Sequence, residues 1–355
     1  MGDDVPTAEK IQSLLKMKKL LLCALIAAIL SPAALRAQEK NAADRSAFWG
    51  NEDIYLHKQA EAMFDLIDRT LTENPPVEGA PLVRKLALYN LDALLHETRY
   101  DNTEAFRKFL DSRVGKTIAE MTAPVKRGLE IYKIYNDGFV ARTRSATIAF
   151  DVVRGSCKGQ RLIPDSLIRR IVDKCDVLFI THNHGDHGDP AVVKMFLDAG
   201  KPVVAPTEFM PENDRITHIR SERIVDEELT LPDGKLRVKI LPGHQGEMMN
   251  NIYVVTTDEN KTFAHVGDQY NAEDMEWIVD ISKHIPRVDV LTVNCWTHRM
   301  NDLVNGFAPK MTITGHENEM GHTIDHREAF WLTFRKMEKV DRKYTVMGWG
   351  ERLAM

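Results

Sequence analysis

The run that most constrains this chain is Thr181-His182-Asn183-His184-Gly185-Asp186-His187-Gly188-Asp189, which follows the apolar stretch Val177-Leu178-Phe179-Ile180 without a spacer. A short apolar stretch of this kind reads as a buried strand, and a strand that opens into a polar loop delivers its side chains to a sheet edge. Imidazoles and carboxylates converge there without being buried unpaired. Three histidines and an aspartate in the order H-x-H-x-D-H, in a chain with 13 His, form a donor set suited to Zn, with Mn or Fe also possible.

Three further positions repeat the arrangement. His244 follows a strand over 236–241 through Pro242-Gly243, Asp268 follows a strand over 262–266 through Gly267, and His316 follows a strand over 311–314 through Gly315. Each glycine permits a sharp exit from its strand. Four strand ends thus supply His182, His184, Asp186, His187, His244, Asp268 and His316, enough for two divalent ions that share a bridging carboxylate. Such a pair lowers the pKa of a shared water and polarises the oxygen of the group it attacks, with Asp186 and Asp268 placed to orient the hydroxide and relay its proton.

The remainder of the chain frames this centre. Residues 43–124 carry helical periodicity: Leu56, Ala60, Met63, Phe64, Ile67 and Leu71 in one segment, Leu82, Leu86, Tyr89 and Ala93 in a second, Phe106, Leu110, Val114 and Ile118 in a third. After Pro124 the period shortens. A hairpin is expected around Asn136-Asp137-Gly138, followed by strands over 177–180, 236–241, 251–257, 262–266, 288–293 and 311–314. The clearest intervening helix has Asp189 as N-cap, Pro190 at its first position and Gly200 beyond its end. Strands with interleaved helices indicate an α/β protein.

Ahead of all this, Lys16, Lys18 and Lys19 precede an apolar run over 20–30 and small residues up to Ala37, the order of an export signal. Cleavage is expected after Ala37, with Met17 as the natural start. The apolar run is too short to span a membrane, so no stable transmembrane anchor is expected. Loss of residues 1–37 removes three acids and five bases from a net charge of −5 and leaves −7, which disfavours a nucleic-acid partner. Cys157, Cys175 and Cys295 remain, enough for one disulfide and not for a framework.

These residues resemble the metallo-β-lactamase superfamily of binuclear metallohydrolases over roughly residues 127–350. The resemblance implies an αββα sandwich and leaves the helices before Pro124 unexplained; with the export signal and the helical periodicity, the chain divides as 1–37 (signal and extension), an N-terminal helical segment over 38–125 and the hydrolase over 126–355. It implies that His182, His184 and His244 hold one metal, that Asp186, His187 and His316 hold the other, and that Asp268 bridges them. It also implies that Asp151 supports the motif loop from behind. Leu241-Pro242-Gly243-His244-Gln245 with Ile313-Thr314-Gly315-His316 is most similar to the ascorbate-phosphate lactonase-like branch, and the phospholipase branch acting on N-acyl-phosphatidylethanolamine is also similar. Lactam-hydrolysing enzymes of one class carry Cys where this chain has Asp268. Iron-based redox members replace His184 by Glu and carry a flavin domain. The expectation is an exported hydrolase with two divalent ions, most simply Zn, acting on a small ester, lactone or phosphodiester. The alternative is a metal-binding or ligand-sensing protein of the same fold. His298 and Arg299, on a loop beyond another strand, are candidate substrate contacts. His322 and His326, spaced so that they could form a metal pair of their own, read rather as helix-surface or supporting residues, His265 as packed beside the site, and Cys295 as a buried thiol. Oligomeric state is left open.

Overall fold

The computed structural model describes residues 50–98 and 100–355, so the export signal and its cleavage position lie outside the described residues. The chain divides into a first unit ending at Lys58 and a second, Gln59–Met355, which holds everything discussed below except the start of the first helix. Three helices come first, α1 (Glu52–Glu73), α2 (Leu82–Leu95) and α3 (Thr103–Glu120). The hairpin β1 (Glu130–Tyr135) and β2 (Gly138–Arg142) turns at Asn136, whose φ of 53° suits the tight reversal. Then come β3 (Thr147–Phe150), the small ribbon β4 (Ser156–Cys157) and β5 (Gln160–Arg161), α4 (Asp165–Lys174), β6 (Val177–Phe179), α5 (Pro190–Asp198), β7 (Val203–Ala205) and β8 (Thr217–His218).

The second half begins with β9 (Val225–Leu231), β10 (Gly234–Gln245), β11 (Met248–Thr257) and β12 (Thr262–His265). It continues through α6 (Met275–Ile278), β13 (Val290–Asn294), α7 (Met300–Phe307), β14 (Met311–Gly315), α8 (Phe330–Met337), β15 (Tyr344–Thr345) and β16 (Glu351–Ala354). Two seven-stranded sheets result, in the orders β16-β1-β2-β3-β6-β7-β8 and β15-β14-β13-β12-β11-β10-β9. They pack face to face: Phe150 of β3 meets Phe263 of β12 at 4.7 Å between ring centroids, and Phe179 of β6 meets Tyr253 of β11 at 4.9 Å. Alternation along each strand divides the faces. Phe139 and Ala141 of β2 enter this inner core, whereas Val140 joins the outer core with the helices. α3 packs on β1 and β16, α5 on β6 and β7, and Met275, Leu303 and Val304 of α6 and α7 share the outer core with Ala264, Leu291 and Val293. The fold is the αββα sandwich with helices ahead of it.

Two readings change on contact with the structure. The face of α2 that carries Leu82, Leu86 and Tyr89 is exposed, and the buried face is Arg84, Ala87, Leu88, Leu91, Asp92 and Leu95. Periodicity misled because two charged residues sit on the inward face, each with buried partners that no local pattern reveals. β10 also runs through Pro242 and Gly243, so His244 lies inside a strand, opposite Met249. Proline is tolerated there because pairing with β9 stops at Ile240 and leaves that side of β10 with no partner to receive an N–H. The helix after the histidine motif is as expected, the Asp189 carboxylate accepting from Ala191 N at 3.0 Å. The three described cysteines are buried and free. No helix among the described residues is long and apolar enough to cross a membrane.

The helical layer is fastened to the C-terminal segment by buried charge. Arg84 grips Glu351 with two nitrogens at 2.9 and 2.7 Å and also donates to the carbonyls of Asn74 and Val346. Arg113 donates to Trp349 O at 2.5 Å, pairs with Asp68 at 2.7 Å and approaches Glu351 at 3.6 Å. Removing Glu351 leaves two guanidinium groups buried without their shared carboxylate, a far larger loss than for an exposed pair. Glu351→Ala is therefore expected to lower unfolding free energy by about 3–5 kcal/mol, measured by urea titration; a loss below about 1 kcal/mol would mean that the cluster contributes no more than a surface pair.

Candidate metal centre

Strand direction explains why the donors meet. β3 and β6 are parallel, as are β12, β13 and β14, and β10 runs with β12 because each is antiparallel to β11. Their C-terminal ends therefore finish on one side, carrying Asp151, the 181–189 loop, Asp268, Asn294, His316 and His244 in turn. Two glycines let the ends crowd together. Gly267 has φ +53°, and a Cβ there would lie 2.5 Å from Thr181 Oγ1; one on Gly315 would lie 1.7 Å from Asp137 Oδ1.

Two groups of donors that can hold a metal ion form at this edge, His182 with His187 and Asp268, and Asp186 with His187 and His316, the donor atoms of each within 4.8 Å of one another. Asp268 faces both. Its Oδ1 is 3.2 Å from His187 Nε2, and its Oδ2 is 3.7 Å from His182 Nε2 and 3.7 Å from His316 Nε2. Asp186 Oδ2 lies 3.0 Å from His316 Nε2 and 3.6 Å from His187 Nε2. His184 stands beside the first group, with its Nδ1 3.1 Å from His182 Nε2. His244 belongs to none of the converging groups; its Nδ1 is 3.1 Å from Asp274 Oδ2, which leaves Nε2 as its donor.

Hydrogen bonds behind the histidines fit them for metal. The Thr181 hydroxyl donates to Asp151 Oδ2 at 2.6 Å, so the Thr181 oxygen accepts from His182 Nδ1 at 3.0 Å, and the lone pair of His182 is on Nε2. His187 Nδ1 donates to Asp151 Oδ2 at 2.8 Å, and its buried Nε2, aimed between Asp268 and Asp186, has no hydrogen-bond partner. A buried, unpartnered nitrogen among carboxylates fits a divalent cation. A third buried group, Asp137, Asp151 and His187, also has metal-like spacing, but His187 Nδ1 is committed to Asp151 and only one nitrogen remains for a metal.

Electrostatics follow the same geometry. Burial, then the positive charge of His187, pushes His182 down to about 3 and keeps it neutral. Burial works against protonation of His187 and His316, yet Asp268 and Asp186 override it, raising His187 well above its usual value and His316 to about 9. Burial would raise Asp186 and Asp268, but the His187 charge, reinforced by His316, holds both below the usual carboxylate range.

Sequence reasoning passed over several participants. Asn294, at the end of β13, and Gln245, at the end of β10, both donate to Asp268. Their position at strand ends was the available signal. His322, which the sequence did single out as a helix-surface or supporting residue, has its Nε2 3.9 Å from Asp186 Oδ2 and its ring centroid 5.5 Å from that of His316. The loop bearing His316 and His322 is held by the helical layer. Asp92 of α2 accepts from Asn318 Nδ2 at 2.8 Å and caps α8 through Phe330 N and Trp331 N at 2.9 and 3.0 Å. Lys133 of β1, wholly buried, donates to Thr314 O and pairs with Glu317.

A cleft of about 380 Å³ opens above Asp268 and His316, walled by Gln245, Tyr270, Trp296, His322 and His326. His298 and Arg299 do not line it. The Tyr270 hydroxyl lies 2.6 Å from His298 Nε2, and Arg299 pairs with Asp302 at 2.7 Å beside a separate hollow. Cys295 is buried, and His265 lies 3.0 Å from Asp151 through Nε2.

No protein-family model and no curated protein matches this sequence. Among solved structures, the chain is similar to a metallo hydrolase from the archaeon Ignicoccus hospitalis, with 16% identity over 64% of this chain and 99% of that one and a TM-score of 0.49. A Thermotoga maritima protein assigned to the Zn-dependent hydrolases of the metallo-β-lactamase superfamily has 14% identity over 59% and 85% of the two chains, with a TM-score of 0.34. The diiron β-hydroxylase of Streptomyces venezuelae has 16% identity over 66% and 54%, with a TM-score of 0.45.

Two outcomes test the centre itself. Asp151→Asn replaces an acceptor-only group by one that must turn an N–H toward its donors, so metal affinity is expected to fall about 10–100-fold in competition with a chromogenic chelator; an unchanged affinity would remove Asp151 from the support of His187. His187 and His316 carry protons that a metal must displace. Zinc loading at pH 7 is therefore expected to release protons, and apparent affinity to rise with pH until His316 has lost its own at about 9. Calorimetry in buffers of different ionisation enthalpy reads both, and pH-independent loading without proton release would contradict the assignment.

Proposed function

We propose that this chain is an exported metal-dependent hydrolase that binds two divalent ions at the edge of the sandwich and cleaves a small ester, lactone or phosphodiester. One observation carries the reading: Asp268 lies between two histidine-containing donor groups, beneath a cleft open to solvent. A site serving structure alone would be closed by its ligands. His182, His184 and His244 are the proposed ligands of one ion, Asp186, His187 and His316 those of the other, with Asp268 between them. Ions bound there supply Lewis acidity and make water acidic enough to ionise near neutral pH. Zinc suits this imidazole and carboxylate set, and manganese or iron also fits it.

The residues supply the remainder. Asp186 and Asp268 stay ionised, so each can orient a water and accept its proton. Gln245 and Asn294 hold the Asp268 carboxylate in place. Neutral His182 keeps its Nε2 lone pair for the metal. No serine or cysteine nucleophile is required, and burial raises Cys295 well above the range in which a thiolate forms. Export draws its support from the lysines and apolar run ahead of Ala37.

The full chain, loaded with Zn, Mn or Fe, is expected to bind two ions by elemental analysis and to hydrolyse members of a panel of esters, lactones and phosphodiesters. His184→Ala is expected to lower kcat/KM by about 100-fold or more. Equal activity in that variant would overturn the mechanism, and tight metal binding with no turnover on any panel member would favour a sensing role.

A further inference from the structure

We infer that the cleft selects an uncharged ester or lactone with an aromatic or compact apolar group beside the scissile bond, and disfavours substrates that carry a phosphate group away from that bond; this specificity rests on the hydrolytic reading above. The argument starts from the walls. Tyr270, Trp296 and His326 surround the approach to Asp268 and His316, with the Trp296 and His326 ring centroids 6.4 Å apart and those of Tyr270 and His298 4.9 Å apart. Aromatic faces of this kind reward a flat or apolar substituent.

Charge argues in the same direction. Among the described residues, none of those lining the cleft is lysine or arginine. The cations on neighbouring loops are committed elsewhere: Arg327 donates to the carbonyls of Leu95, Met320 and His322, Arg299 pairs with Asp302, and Lys336 holds Glu328 at 2.6 Å and Cys295 O at 2.7 Å. Recognition of a phosphate held away from the proposed ions ordinarily draws on arginine forks, lysines or helix N-termini. This wall offers instead the Thr297 hydroxyl and the rings of Tyr270 and Trp296. Such groups suit a carbonyl compound, whose polarity is that of one dipole.

The reaction needs no co-reactant. Water loses a proton to a carboxylate, its oxygen bonds to the carbonyl carbon, the carbon–oxygen bond to the leaving group breaks, and the alcohol takes up the proton. A lactone gives a hydroxy acid by the same steps.

Methyl phenylacetate and methyl acetate share a scissile bond and differ in the ring. On the metal-loaded full chain the first is expected to show a KM at least about 10-fold lower. Trp296→Ala is expected to abolish that advantage with little change in kcat, and Trp296→Phe to retain most of it. Binding to the metal-free chain gives an independent reading by calorimetry: N-benzylacetamide is expected to bind more tightly than phenyl phosphate and to weaken in Trp296→Ala. Equal KM values for the two esters, or phenyl phosphate binding more tightly than the amide, would overturn the specificity while leaving hydrolysis intact. Ring-selective, Trp296-dependent amide binding with turnover of neither ester would support the specificity of the cleft and overturn the hydrolytic reading instead.

Discussion

The carboxylate of Asp151 holds the two halves of the sandwich in register at the candidate centre. It is fully buried just after β3, at φ 46°, a left-handed conformation that costs a residue with a Cβ about 1–2 kcal/mol. In exchange its oxygens receive Thr181 N at 2.8 Å, the Thr181 hydroxyl at 2.6 Å, His187 at 2.8 Å and His265 at 3.0 Å. The first three belong to the loop after β6, in the same sheet, and the fourth to β12 in the other. His187 and His265 outweigh burial and keep the carboxylate ionised. One charged group thus orders two imidazoles and the turn that begins the histidine motif, and removing it would uncouple the donors from one another before any metal is considered.

The helices ahead of the sandwich extend the same logic to the opposite rim. Asp92 cannot reach the metal donors, yet it binds Asn318, two residues past His316, and caps α8. His316 and Asn318 both have positive φ, 71° and 53°, so this loop needs outside support to keep its shape. Lys133 and Glu317 supply it from beneath, with neither side chain exposed. Buried pairs of this kind contribute little net stability, because desolvation offsets their attraction, but they penalise any other arrangement severely. Their contribution here is to position one loop.

How much of this was legible in the sequence depended on whether a residue's role was local. The histidine motif, Asp268 and His316 stood out because each follows an apolar strand and a glycine, and parallel strands carry such ends to one edge whatever the loops between them do. His244 occupied an extension of β10 through Pro242, which only the short reach of β9 permits. Asn294 and Gln245 carried only the signal of their place at strand ends and Trp296 only its place just beyond one, since amides and rings occur everywhere and acquire meaning only beside Asp268. The inward face of α2 was hidden for the opposite reason: Arg84 and Asp92 look like solvent-facing charges until Glu351, Asn318 and the start of α8, each more than 200 residues away, come into contact with them.

The charges at the centre balance one another within the protein itself. Without cations, His187 and His316 hold protons that balance Asp186 and Asp268, so the carboxylates stay ionised in a buried setting at tolerable cost. A metal ion held by these residues would displace those protons. What must be present beforehand is the frame, and it is supplied by groups that do not touch the metal: Asp151 below, Asp274 behind His244, Asp92 and Lys133 beside His316. A centre framed in this way leaves its open side to the loops after β12, β13 and β14, so on the hydrolytic reading proposed above it is the rings those loops carry, rather than the ligands, that would select the substrate.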